Sequence, residues 1–278
     1  MFKQQRPLSG RSAASDRLHS SSLKLTPPRG KRQSKSSSSL SSDHASTSLV
    51  DLMLSAVRNG DVVELEKCVK RGCDMNAYLS VRDGFTALHQ ACQSGSLECV
   101  QWLVWHKADM MARSKRGWTP LHIAAIRGQD KCLQALLASN ADISVKDPRG
   151  RSAAYLAAAH GNSYTLQSLL RAGADLNAAD YLGWTPAHAA AYHGRTGALK
   201  ALLQWGAQLH DVDSCGNTAA HLAASEGHLY CLRFIVCAAQ GNVVKVIGAK
   251  NDEGDSPLNV SEHFHRGDCA EYLRAIGK

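Results

Sequence analysis

The sequence predicts an all-α solenoid of about seven helix-turn-helix units with hairpin-like loops, preceded by a disordered tail. Three observations predict it. Glycines stand at positions 84, 117, 150, 183 and 216, a constant step of 33 residues. Each opens a similar hexapeptide, best formed in Gly117-Trp118-Thr119-Pro120-Leu121-His122 and echoed by Gly84-Phe85-Thr86-Ala87-Leu88-His89 and Gly183-Trp184-Thr185-Pro186-Ala187-His188. The composition also changes near residue 48, ahead of which Ser, Lys and Arg dominate. A fixed period of this length marks a stack of units, none of which can bury its apolar face alone.

Residues 1–48 carry nine Lys or Arg against two Asp, a net +7 out of the chain's +8, and have no Phe, Trp or Tyr after Phe2. Such a segment cannot bury enough apolar surface to offset chain entropy, so it is expected to be disordered. Basic-x-x-Ser steps end at Ser9, Ser20 and Ser34, which are candidate sites for basophilic kinases. The alternative reading is a solubilising leader with chance matches. Arg29, Lys31, Arg32 and Lys35 form a short cluster compatible with nuclear import.

Within the array, Gly117 accepts the positive φ of a tight turn, Thr119 caps a helix and Pro120 takes its first position, where no amide hydrogen is needed. Leu121, Ile123, Ala124 and Ala125 form an apolar surface of mostly small residues, and Gly128 ends the helix. A second helix follows through Cys132, Leu133, Leu136 and Leu137. Residues 49–82 are expected to form a degenerate first unit capped by Ser48, and residues 251–278 a degenerate last one. Gly254 follows Gly216 by 38 residues rather than 33, an insertion falling within 238–249, and the last unit is expected to extend its first helix up to Gly267. Lys107 and Asn140 replace the turn glycine kept at Gly173, Lys at a cost on the order of 1 kcal/mol. The unit at Gly150 has Tyr155 in place of His and lacks Pro, which predicts a soft point.

A period of 33 with a T-P-L-H core resembles the ankyrin-repeat family, and the likeness covers roughly residues 49–278. The segments RGWTPLHIAAIRGQD (Arg116 to Asp130) and HLAASEGHLYCLRF (His221 to Phe234) are similar to ankyrin repeat domain-containing proteins of the several-ankyrin-repeat type. The resemblance implies a protein-interaction scaffold that binds along a concave surface, and histidines that bond backbone within the hairpin region. It also implies hydroxylation at Asn177, which lies in a Leu169, Asp175, Asn177 pattern. Some such proteins regulate a phosphatase through a Lys/Arg-Val/Ile-x-Phe/Trp motif ahead of the array, and residues 1–48 lack it.

Composition and motifs narrow the function class. Nine cysteines without a CxxC pair and no apolar leader argue for a reducing compartment, cytosol or nucleus. No apolar run approaches the roughly 18 residues needed to cross a bilayer. No nucleophile motif, P-loop or dinucleotide fingerprint occurs, so no enzyme and no cofactor are expected. His263, His265, Asp268 and Cys269 match no standard metal spacing, and no metal is expected.

The expected function is therefore a non-catalytic scaffold or adaptor, a monomer that binds a protein partner. The residues after the turn glycines, Phe85, Trp118, Arg151, Trp184 and Asn217, are expected to project from the hairpin tips. Trp118 and Trp184 either form partner hot spots or lie flat on the adjacent hairpin. Lys115, Arg116, Arg149 and Tyr181 add a basic and aromatic rim, and Arg127, His160, Tyr192 and His193 decorate the inner helix ends. This rim favours a partner with an acidic or phosphorylated segment. The alternatives are a nuclear protein that associates with chromatin or nucleic acid through its basic tail, or a phosphatase regulatory subunit without the usual docking motif. Nucleic acid is not expected to bind the array, whose net charge is near zero.

Overall fold

The computed structural model describes residues 48–239 and 242–277. Expectations for the tail, including Ser9, Ser20 and Ser34, lie outside these residues. The described residues form fifteen helices and only isolated bridges, such as Ser80 to Phe85, where hairpin arms meet. Fourteen helices pair into seven units: α1 (Leu49–Asn59) with α2 (Val62–Lys70), α3 (Ala87–Ser94) with α4 (Leu97–Trp105), α5 (Pro120–Arg127) with α6 (Asp130–Ala138), and α7 (Ala153–His160) with α8 (Ser163–Arg171). The series continues with α9 (Pro186–Tyr192) and α10 (Thr196–Gln204), α11 (Ala219–Glu226) and α12 (Leu229–Ala238), and α14 (Pro257–His263) and α15 (Gly267–Ile276). The insertion forms the short helix α13 (Val243–Ile247).

The first helices of the units form an inner row and the second helices an outer row, and neighbours approach more closely in the inner row. Side-chain size explains the difference. Ala124, Ala125, Ala157, Ala158, Ala190, Ala191, Ala223 and Ala224 are buried on inner helices and keep backbones close. Outer helices instead insert leucines at the repeat step, with Leu133, Leu166, Leu199 and Leu232 fully buried in one column and Leu103, Leu136, Leu169 and Leu202 in another. Burying each contributes roughly 1.5–3 kcal/mol, and no unit can do so without its neighbour.

Polar closure at both ends of the inner helices links the units. At the hairpin end, the amide of Thr86 donates to His89 Nδ1 at 3.3 Å in a capping box where His stands in for the usual Glu or Gln. The Nδ1 acceptor role puts the proton on Nε2, which donates to the next unit's Trp118 carbonyl at 2.9 Å. His188 reaches the Asn217 carbonyl and His221 the Asp255 carbonyl in the same way, each at 3.1 Å. At the other end, Asn162 donates to the carbonyls of Ala125 and Ile126, Arg195 to Ala159, His228 to Tyr192 and Arg266 to Ser225. These carbonyls are the ones an α-helix leaves open at its C-terminus. Gly128 is required for this second closure: its φ is +70°, and a Cβ there would lie 2.8 Å from Asn162 Oδ1. Lys107 and Asn140 do adopt positive φ, 65° and 62°.

One feature differs from the sequence expectation. The last inner helix stops at His263 rather than extending to Gly267, because His265 takes the left-handed turn at φ 56° and Gly267 starts the outer helix. The unit opened by Gly150, where the sequence predicts a soft point, lacks two bonds at its junction with the Gly117 unit. Elsewhere a tip amide bonds the preceding tip, as in Lys115 to the Asp83 carbonyl and Tyr181 to the Arg149 carbonyl. Pro148 occupies the corresponding position here and has no N–H to give. At the same junction His122 Nε2 is buried without a partner.

Replacing His122 by Ala is expected to destabilise the array by about 1 kcal/mol less than replacing His188 by Ala, the worth of the bond His122 lacks. Urea midpoints of the two variants measure this. Acid should also weaken the whole ladder. Burial lowers the pKa of His89, His188 and His221, and takes His122 down to about 4 despite the opposing Asp147 charge. A histidine kept neutral by folding stabilises fully above its unfolded pKa near 6.5, and this contribution is lost as pH falls toward the folded value. For His122 alone the loss is on the order of 3 kcal/mol. Urea unfolding at pH 7.5 and at about pH 4.5 is expected to show a marked fall in stability at the lower pH.

Candidate partner-binding surface

The hairpin arms are built around an acidic residue that closes the turn on its own backbone. Asp147 Oδ1 accepts from the amides of Arg149 and Arg151, and Asp213 Oδ1 from those of Cys215 and Asn217. Each carboxylate also receives the indole of the preceding unit, Trp118 Nε1 to Asp147 Oδ2 at 3.1 Å and Trp184 Nε1 to Asp213 Oδ2 at 2.9 Å. Arg151 completes the first cluster through Nε and Nη2 at 2.9 and 2.6 Å. Burial pushes the Asp147 carboxyl up, but the Arg151 guanidinium and the backbone amides outweigh it and hold the pKa below the usual range.

This geometry corrects the expectation that the residues after the turn glycines project. Phe85 is buried and stacks on His89, with centroids 5.4 Å apart. Trp184 is only 6% exposed, Trp118 is half-buried, Arg151 clasps Asp147 and the half-buried Asn217 bonds Asp213. The hairpin arm turns Trp118 and Trp184 toward the next unit's aspartate, so their indoles join two units, while Arg151 and Asn217 bond the aspartate of their own hairpin.

The remaining named residues stay accessible. Lys115, Arg116, Arg149 and Tyr181 are exposed at the tips, and the Arg116 guanidinium lies 5.1 Å from the Trp118 ring centroid. At the opposite end of the inner helices Arg127, His160 and His193 are exposed and Tyr192 is half-buried, its ring 4.9 Å from Trp184 and 5.1 Å from His193. Arg195, which the sequence reading did not single out, is exposed beside them. It occupies the position after the left-handed glycine, where Gln129, Asn162 and His228 stand in other units; that alignment was the available signal. Partial burial lowers the His160 pKa, and Arg195, Arg151 and Arg127 lower it further. His193 falls to about 4, from burial first and then His160, Arg195, His228 and Arg151. The field over this part of the inner row is positive. Asn177 is exposed in the turn after α8, where its amide bonds Asp175.

Among the described residues no three His, Cys, Asp or Glu side chains converge as a metal set. Burial raises the thiol pKa of Cys92, Cys99, Cys132, Cys231 and Cys269, which keeps them out of thiolate chemistry. No described helix is long and apolar enough to cross a membrane.

Fold and surface together describe a helical repeat solenoid that presents side chains along a row. A family model described as ankyrin repeats (3 copies) matches residues 52–147 and 139–213, and a single ankyrin-repeat model matches 215–247. The chain belongs to the ankyrin-repeat family, whose domains are generally protein-protein interaction modules. The described unit formed by α14 and α15 lies beyond these matches. The crystal structure of the ankyrin repeat domain of Bcl-3, a member of the IkappaB protein family, is similar at a TM-score of 0.65 and 28% identity, covering 80% of this chain and 97% of that one. A 2-5A-dependent ribonuclease of Mus musculus is 38% identical over 63 residues, 23% of this chain and only 8% of that protein.

Trp184→Ala is expected to cost about 3–5 kcal/mol, since it removes a buried indole and strands Asp213. Arg149→Glu, at an exposed tip, should change stability by less than about 0.5 kcal/mol. Chemical unfolding of the two variants beside the wild type checks both values.

Proposed function

We propose that this protein is a non-catalytic scaffold that holds a protein partner against its inner row and basic rim, and that the partner offers an acidic or phosphorylated segment. One observation carries the reading. Arg127 at the end of α5 and Arg195 just before α10 lie exposed on one side of the array, and neither forms an ion pair among the described residues, while His160 and His193 beside them have lowered pKa values and add charge only on protonation. Uncompensated charge of one sign steers a complementary partner and fixes its orientation. Lys115, Arg116 and Arg149 extend the same charge to the tips. Phosphorylation of Ser9, Ser20 and Ser34 would remove most of the tail's +7, and so tune any contact the tail makes with an anionic partner or with nucleic acid.

Full-length chain serves as bait in a lysate pull-down, beside an inner-row variant (Arg127→Glu, Arg149→Glu, His193→Glu) and an outer-row variant (Trp105→Ala, Tyr230→Ala), each verified as folded by circular dichroism. A protein retained by wild type and by the outer-row variant but lost from the inner-row variant is the expected result. The reverse pattern would move the site to the outer helices and end this reading.

A further inference from the structure

Arg127, His160 and His193 stand 33 residues apart, so they occupy one station, the C-terminal end of the inner helix, in three successive units. Ser94 holds that station one unit earlier and Glu226 one unit later, which bounds the cationic run on both sides. Cations at a helix C-terminus are ordinarily explained by the open carbonyls there. That explanation is already used up: Asn162, Arg195 and His228 bond the carbonyls at the ends of α5, α7 and α9. The side chains of Arg127, His160 and His193 are therefore left over, exposed and of one sign once protonated.

Spacing converts this run into a recognition rule. Packed helices lie about 8–10 Å apart, and a polyproline II segment advances about 3.1 Å per residue with three residues per turn, so one turn spans one unit and every third side chain points the same way. Ala159, beside His160, leaves a segment room to lie close there, between Ile126 and Tyr192 at the same position of the neighbouring units. Glu226 is faced by the Tyr192 hydroxyl and lies 4.0 Å from Arg266, so it ends the run with an anion of its own.

We infer that the partner enters as an extended acidic segment with a carboxylate at every third residue, successive carboxylates meeting Arg127, then His160 with Arg195, then His193. This rests on the inner row being the partner surface. The acidic part of the segment stops short of Glu226, which repels a further carboxylate and fixes the register. Binding is also proton-linked. In the free protein partial burial, followed by Arg195, Arg151 and Arg127, disfavours the charged form of His160. Burial, then His160, Arg195, His228 and Arg151, does the same for His193, with Tyr192 edge-on to its ring. A carboxylate seated at either ring favours the imidazolium, so complex formation takes up protons and tightens as pH falls.

The test measures fluorescence anisotropy of labelled peptides of about twelve residues with full-length protein. One peptide places glutamate at every third position in a Gly/Ser background, and a second holds the same number of glutamates in one block. The spaced peptide is expected to bind about tenfold tighter, to lose that preference with Arg127→Glu, and to tighten from pH 7.5 to 5.5. The pH effect should vanish in a His160→Gln, His193→Gln double variant. The basic tail is present in every sample, so only the differences between peptides and between variants report on the inner row. Equal binding of both peptides, a preference that survives Arg127→Glu, or stronger competition by a single-stranded oligonucleotide than by the spaced peptide would each overturn the proposal. Loss of the captured partner from the inner-row variant together with equal peptide binding would end the spacing rule alone; retention of the partner would end the underlying reading.

Discussion

The bond from a histidine Nε2 to the carbonyl of the following hairpin is the interaction on which the rest of this array depends. It exists because the same ring accepts a threonine amide on Nδ1, so one imidazole caps its own helix and ties it to the next unit. A single unit therefore has a capped helix but an unanswered N–H, and only a neighbour answers it. The leucine columns behave in the same way, each side chain completing its burial on the adjacent unit. Stability in such a stack is a sum of nearest-neighbour terms, and the junction where Pro148 and His122 forgo their bonds is the weakest term these contacts identify.

This closure also decides which side chains are free. Trp118 and Trp184 are consumed by the aspartates of the following hairpins, and Arg151 and Asn217 by those of their own. Asn162, Arg195, His228 and Arg266 are consumed, wholly or through one nitrogen, by helix-end carbonyls. What stays uncommitted on the inner side is the basic set at the helix ends and tips. The surface available to a partner is thus a remainder, defined by what stacking does not use.

The period, the number of units and the roles of Thr, Pro, Gly and His were legible in the sequence because each is a local requirement repeated at a fixed step. The first unit was legible through Ser48 and the Gly60-Asp61 turn even without the T-P-L-H core. The fate of Phe85, Trp118 and Trp184 was not, since whether a tip residue points outward depends on an aspartate 29 residues after each tryptophan. Arg195 was missed for a related reason: its importance comes from lying beside His160 and His193, each on a different helix or cap, and no single window of sequence contains all three. The turn at His265 was missed although its register was available: it follows Gly254 at the same step by which Gly128 follows Gly117, but with histidine in place of the usual glycine.

The central claim is that the inner row, freed by the stacking bonds, is where the partner lies. Hydrogen-deuterium exchange of the full-length protein, alone and with the captured partner, tests it most directly. The account predicts slowed exchange in segments 124–129, 157–163 and 190–197, around the ends of α5, α7 and α9, with the outer helices unchanged. Protection confined to α4, α6, α8 or α10, with those three segments unaffected, would contradict it.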